Sequence, residues 1–274
     1  MINRLLILTL FVALPLKSAE LSSKDILAKN NGAVVQIIVN GEFHGTGFII
    51  SKDGLIATAN HVITTKESGY TEASKKIEVR IPNSPRLHFA RPAIPITTTS
   101  KVHDVAILRV EVIDLPCVEL GELSEVEQGN SVTVIGFVPG LNQSLLLTGI
   151  VSAKTEDVTV IDKQAYRSRI AIFEIPVRGG VSGSPIFSNA TGRVVGVVTT
   201  KVYGISQQLD ETLSKLNSVG EVTMVGSTGA SVGINKTLAG LIGTLEENLV
   251  SGLGSAVNIS YVKEMKAEAE KAKK

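Results

Sequence analysis

The 274-residue chain predicts an all-β protein made of two small barrels. From residue 32 to 202 it is written in short runs of valine, isoleucine and threonine bounded by Gly, Asn, Asp or Pro. Helical periodicity is absent there, and nine such runs exceed what one closed barrel needs. The natural joint is the segment DLPCVELGELSE, residues 114–125.

Taken in order, the chain opens with MINRLLILTLFVALPLKSAE, with a basic residue at Arg4, an apolar run Leu5–Leu16 and small residues at Ser18 and Ala19. This is the layout of a secretory signal peptide over residues 1–19. The apolar run is too short for the roughly twenty residues of a membrane span. Lys17, three residues before a cut after Ala19, leaves the cleavage point open. The first barrel is expected from AVVQIIV, TGFII, LIATA, IEVRI and VAILRVEVI, and the second from SVTVIGF, LLLTGIVSA, RIAIFEI and RVVGVVTT. After Tyr203 the pattern turns helical, with Ile205, Leu209, Leu213 and Leu216 in one set and Leu238, Leu241, Ile242, Leu245 and Leu249 in another. The glycines of GSTGASVGINKT lack the spacing of a phosphate loop, because Ile234 and Asn235 intervene. A last strand is read in GSAVNISYV, and KEMKAEAEKAKK is a charged, solvated helix or a frayed end.

Composition narrows the function. Hydrophobic residues make up 43% and charged residues 19%, too apolar for disorder and without the basic excess of a nucleic-acid binder. Loss of residues 1–19 removes Arg4 and Lys17, taking the net charge from +1 to −1. With one cysteine, Cys117, no internal disulfide is possible, which fits an exported bacterial protein in the periplasm or medium. Cys117 is expected to be a buried small apolar residue beside Leu115, Pro116 and Val118. The four histidines lack ligand spacing, so neither metal nor cofactor is expected.

The sharpest signal is RGGVSGSPI, residues 178–186, where Ser182 stands among small residues. Such a serine is either part of a tight turn or an exposed nucleophile, and a nucleophile needs a histidine base that a carboxylate orients. Of His44, His61, His88 and His103, only His61 directly follows a β-like run, in GLIATANHVIT. HDVAILRV sets Asp104 at the mouth of an apolar strand, as a turn residue or as the orienting carboxylate.

The order His61, Asp104, Ser182 in a two-barrel protein resembles chymotrypsin-type serine proteases. More closely, GTGFIISKDGLIATANHVI, HDVAILRV, VIGFVPGLNQSLLLTGIVSA, GGVSGSPIFSNATGRVVGVVT and GLGSAVNISYVKEM resemble successive blocks of the HtrA/Deg protease domain. That resemblance implies two six-stranded barrels with the active site between them, and a helical insertion before the last strand. It sets the protease domain over residues 20–262, with the first barrel at about 29–115, the second at about 118–262, the insertion at about 203–251 and a tail at 263–274. It also implies His61, Asp104 and Ser182 as catalytic residues and the amides of Gly180 and Ser182 as an oxyanion hole. Pro176, Thr199, Thr200 and Lys201 would bind substrate. Pro176, six residues before the serine, replaces the acid of trypsin-like enzymes and favours a small or aliphatic side chain at the cleavage site.

Several positions depart from the pattern. Ser184 replaces the second glycine after the serine, which is expected to narrow the cleft, and Val181 replaces an aspartate used in activation by digestive relatives. No PDZ domain is expected after the last strand, and the segment Glu20–Asn31 lacks the aromatics of trimeric relatives, which leans toward a monomer. The insertion is a helical decoration or a lid. The implied function is an exported serine endopeptidase acting on proteins or peptides, with no membrane anchor after signal cleavage. The alternatives are a silent protease-fold binding protein or an unfolded-protein holder.

Overall fold

The computed structural model describes residues 20–64, 72–74, 76–161, 163–177, 179–199, 215, 218, 223–225, 231–235, 237–238, 240–241 and 251–272. The signal-like segment 1–19 and the helical repeat at 205, 209, 213 and 216 lie outside them.

The N-terminal helix α1 (Ser23–Asn30) begins at Ser22, whose hydroxyl accepts from the Asp25 amide while the Asp25 carboxylate takes the Ser22 amide in return. The first barrel follows as β1 (Val34–Val39), β2 (Glu42–Ile49), β3 (Leu55–Thr58), the short helix α2 (Asn60–Ile63), β4 (Ile77–Arg80), β5 (Leu87–Pro92), the short helix α3 (Thr98–His103) and β6 (Ala106–Val110). The second comprises β7 (Ser131–Gly136), β8 (Leu145–Ile161), β9 (Gln164–Val177), β10 (Pro185–Ser188), β11 (Val194–Thr199) and, beyond the paired strands β12 (Thr223–Val225) and β13 (Ser231–Gly233), β14 (Ser251–Asn258). Helix α4 (Ser260–Lys271) comes last.

Each six-stranded sheet is antiparallel and closed, in the orders β1-β2-β3-β6-β5-β4 and β10-β11-β14-β9-β8-β7. Closure leaves neither barrel an open edge. The apolar runs read from sequence form the interiors: β1, β3 and β6 are buried along their whole length, as are β10 and β11. The connecting segment stitches the barrels together. Val118 donates to Ile49 O at 3.0 Å, and Val194 donates to Glu119 O at 2.9 Å.

Three expectations change. Cys117 is exposed, because its neighbours Leu115 and Val118 take the buried positions. Helix α4 runs through the expected tail and buries Tyr261, Val262, Met265 and Ala269 on one face, so the segment from residue 263 is docked rather than fully solvated. The insertion, expected to be helical, contributes β13 from its glycine-rich stretch, paired with β12. Among the described residues the insertion therefore holds a strand pair as well as helical positions from Ile234 to Leu241.

Candidate active site

Asp104 closes α3. That helix starts with a reciprocal cap in which the Thr97 hydroxyl accepts from the Ser100 amide, and it ends with Asp104 in the left-handed region at φ 52°. Aspartate tolerates this conformation better than most residues. The turn aims the carboxylate back at α2, where Oδ1 accepts from the His61 amide at 2.9 Å and Oδ2 meets His61 Nδ1 at 2.7 Å. The Asp104 carbonyl accepts from the Asn60 amide at 3.1 Å, so three bonds tie two segments that are 43 residues apart. A carboxylate only accepts, so Nδ1 carries the hydrogen and Nε2 keeps its lone pair. The imidazole remains 33% exposed, while the Asp104 side chain is 19% exposed. The imidazole is thus reachable and the carboxylate that meets it is covered.

The remaining histidines have other surroundings. His44 is exposed, His88 Nε2 meets Ser84 Oγ at 2.8 Å, and His103 Nδ1 meets Ser168 Oγ at 2.6 Å. His103 also stacks on Tyr261 with ring centroids 3.5 Å apart. Burial holds the imidazoles of His88 and His103 below their ordinary range, with the Arg86 charge adding to the effect at His88.

Ser182 lies in a turn of the second barrel between Gly180 at φ +93° and Gly183 at φ +83°. These are conformations that glycine adopts readily and other residues resist. A side chain at Gly183 would also collide with Thr46 O and Thr58 Oγ1, so the turn rests directly on the first barrel beside Ala59, the residue that caps the helix bearing His61. Within the turn Gly183 donates to Val198 O at 2.7 Å and Ser184 to Val181 O at 3.0 Å. Ser182 itself is only 5% exposed.

Ser184 does not narrow the cleft as its sequence position suggests. It is fully buried, and its hydroxyl points at Gly136 on the neighbouring strand. Val181 is also buried, and with Phe173, Ile175, Val198 and Gly254 it lines a small apolar cavity of the second barrel. Thr199 ends β11 with its side chain buried and its carbonyl accepting from Ser255 Oγ at 2.8 Å. Pro176 lies in β9. Thr200 and Lys201 fall outside the described residues.

One residue of the site escaped the sequence reading. Thr46 on β2 is fully buried and touches the serine turn twice, through its amide to Ser182 O at 2.9 Å and its hydroxyl to Gly180 O at 2.8 Å. In sequence it is an ordinary β-branched strand residue. Only the pairing of the two barrels gives it a second role.

Comparison with known proteins agrees with this architecture. Residues 45–197 match the family described as trypsin-like peptidase domain. The chain is 36% identical over 153 residues to a probable periplasmic serine endoprotease DegP-like of Pseudomonas fulva, covering 56% of this chain and 28% of that protein. It is 29% identical over 194 residues to the mitochondrial serine protease HTRA2 of Bos taurus, covering 66% and 39% respectively. It therefore spans well under half the length of these two relatives. Among solved structures, the HtrA-type protease AlgW with a tripeptide superposes with a TM-score of 0.60 at 18% identity, covering 92% of this chain and 64% of that one. At that identity the likeness speaks for the fold. With the matched family spanning His61, Asp104 and Ser182, the chain belongs to the trypsin-like peptidase domain family.

Proposed function

We propose that this chain is an exported serine endopeptidase that cleaves proteins or peptides through Ser182, His61 and Asp104. The observation that carries the reading is the double contact of Asp104 with the amide and Nδ1 of His61, which fixes the ring so that Nε2 is the nitrogen turned away from the carboxylate. In this reading His61 Nε2 removes the Ser182 proton as Oγ attacks the substrate carbonyl, and His61 returns that proton to the leaving amine. The acyl-enzyme is then hydrolysed by water, with the same base accepting a proton from it. Asp104 keeps the imidazole in its working tautomer and stabilises the imidazolium that forms.

The amides of Gly180 and Ser182 receive the developing oxyanion, an interaction whose loss removes about 100- to 1000-fold in kcat in serine proteases. Pro176, Thr199, Thr200 and Lys201 border the bound peptide, Thr199 through its backbone since its side chain is buried. Pro176, where trypsin-like enzymes carry an acid, supports a preference for small or aliphatic side chains at the cleavage site. The periplasmic name of the Pseudomonas fulva relative supports export, together with the signal-like segment 1–19. Burial of Ser184 away from the cleft removes one ground for a silent, binding-only protein.

A fluorophosphonate probe tests the reading. Labelling of the wild-type chain and none of Ser182→Ala is expected. A wild type that stays unlabelled and leaves a peptide library uncut overturns it.

A further inference from the structure

Thr46 uses all of its hydrogen-bonding groups at the boundary between the barrels. Its amide donates to Ser182 O at 2.9 Å and its carbonyl accepts from Thr58 Oγ1 at 2.7 Å. Its hydroxyl donates to Gly180 O at 2.8 Å and accepts from the Phe137 amide at 2.9 Å. The direction of the hydroxyl hydrogen follows from its partners, since a carbonyl only accepts and an amide only donates. The side chain is fully buried, so no water stands in for a lost partner without entering the interface.

These bonds fall on a particular set of peptide planes. The plane between residues 180 and 181 is held by Gly180 O on the Thr46 hydroxyl, and that between 182 and 183 by Ser182 O on the Thr46 amide. The second of these is also held by Gly183 N on Val198 O. Between them lies the plane that carries the Ser182 amide, and its carbonyl, Val181 O, accepts from Ser184 N. Three successive planes are thus fixed, two of them by one residue of the other barrel. Their orientation decides where the Ser182 amide points, and Gly180 is the glycine whose rotation would release the first plane.

We propose that Thr46 is a positioning residue that sets the oxyanion-binding orientation of the Gly180–Gly183 turn, a role that rests on the peptidase reading above. The hydroxyl acts as a two-sided staple: it draws Gly180 O inward and anchors itself on Phe137, just past β7. The sequence offers the same fixing to any substrate, so the effect belongs to turnover and not to side-chain selectivity.

The test compares Thr46→Val, which keeps the shape and loses the hydroxyl, with Thr46→Ser, which keeps the hydroxyl. For the valine variant kcat on a peptide substrate falls by about 10- to 100-fold while KM stays within about twofold, the pattern of lost transition-state stabilisation. Affinity for a peptidyl aldehyde falls by a matching factor, because that inhibitor forms the tetrahedral oxyanion and a bound substrate does not. The serine variant recovers kcat to within about threefold. An unchanged kcat in a folded Thr46→Val, or a loss carried by KM alone, overturns the proposal. Should the valine variant not fold, Thr46→Ala takes its place with the same readings.

Amide NMR keeps this separate from the peptidase reading itself. In a Ser182→Ala background the Gly180 and Gly183 resonances move in the valine variant and return in the serine variant. Resonances that stay put in Thr46→Val refute the staple whether or not the wild type cleaves peptides.

Discussion

The two barrels share a topology but contribute to the site in different ways. The first barrel presents His61 and Asp104 already joined, by bonds that begin and end within that barrel. The second presents Ser182 on a turn whose two outer carbonyls find their partners on Thr46, in the other barrel. The His61–Asp104 pair is therefore a local product of α2 and α3, whereas the serine turn draws part of its bonding from the other barrel. One half of the site is self-contained and the other is shared between the barrels.

Disruption of this contrast has the largest effect at the chemistry. Ser182→Ala is expected to lower kcat by roughly a millionfold and Asp104→Asn by about ten-thousandfold, measured on the best peptide of a library screen. The asymmetry of the two losses is the informative part, since in the proposed mechanism the aspartate orients and the serine reacts. Equal losses would show that the His61 orientation collapses without its carboxylate.

A middle-sized effect comes from the glycines that flank the serine. Gly183→Ala meets both a left-handed backbone and the Thr46 carbonyl, and is expected to lower stability by at least ~1–3 kcal/mol and to remove activity. Gly179→Ala meets nothing within 4 Å and should melt with the wild type. Calorimetry on the pair checks this, and equal melting temperatures would mean that the turn does not rest on the first barrel.

The smallest effect lies in pH. His103 is held neutral by burial, so its folded pKa lies below that of the unfolded chain, about 6.5. Below that value the unfolded chain binds the proton first, and stability falls as pH drops toward the folded value, while above it the contribution is complete. His103→Phe keeps an aromatic ring against Tyr261 and removes the titration. Its melting temperature should fall less than the wild type's between pH 7 and pH 5. Because His88 shifts in the same direction, some wild-type slope persists in the variant. Parallel slopes for the two proteins would assign the acid sensitivity elsewhere.

Much of the fold was legible because barrel interiors demand apolar strands, and the runs beginning at Val34, Leu55, Ala106, Ser131 and Val194 match observed strands. Two barrel strands were not. β5 carries an exposed Phe89 and Arg91 and ends at Pro92, so it lacks a clean alternation, and β10 is only four residues long and begins with Pro185. β8 and β9 also run farther than their apolar cores, as the paired hairpin from Lys154 and Ala171 to Ile161 and Gln164. Pairing across the hairpin extends them where charged residues interrupt the apolar ones. The juxtaposition of His61 with Asp104 was anticipated from motif order, while Thr46 was not, since nothing in a threonine reveals which distant carbonyls it will meet. The outward exposure of Cys117 and the inward face of α4 were missed for the same reason, each depending on which neighbour claims the interior.

The docking of α4 also ties distant parts of the chain together. Tyr261, Val262, Met265 and Ala269 belong to the same apolar cluster as β1, β3 and β6, so α4 supplies part of the interior of the amino-terminal half. A variant lacking α4 would leave that interior incomplete, so the lobe that holds His61 and Asp104 depends on a helix more than 150 residues further along the chain.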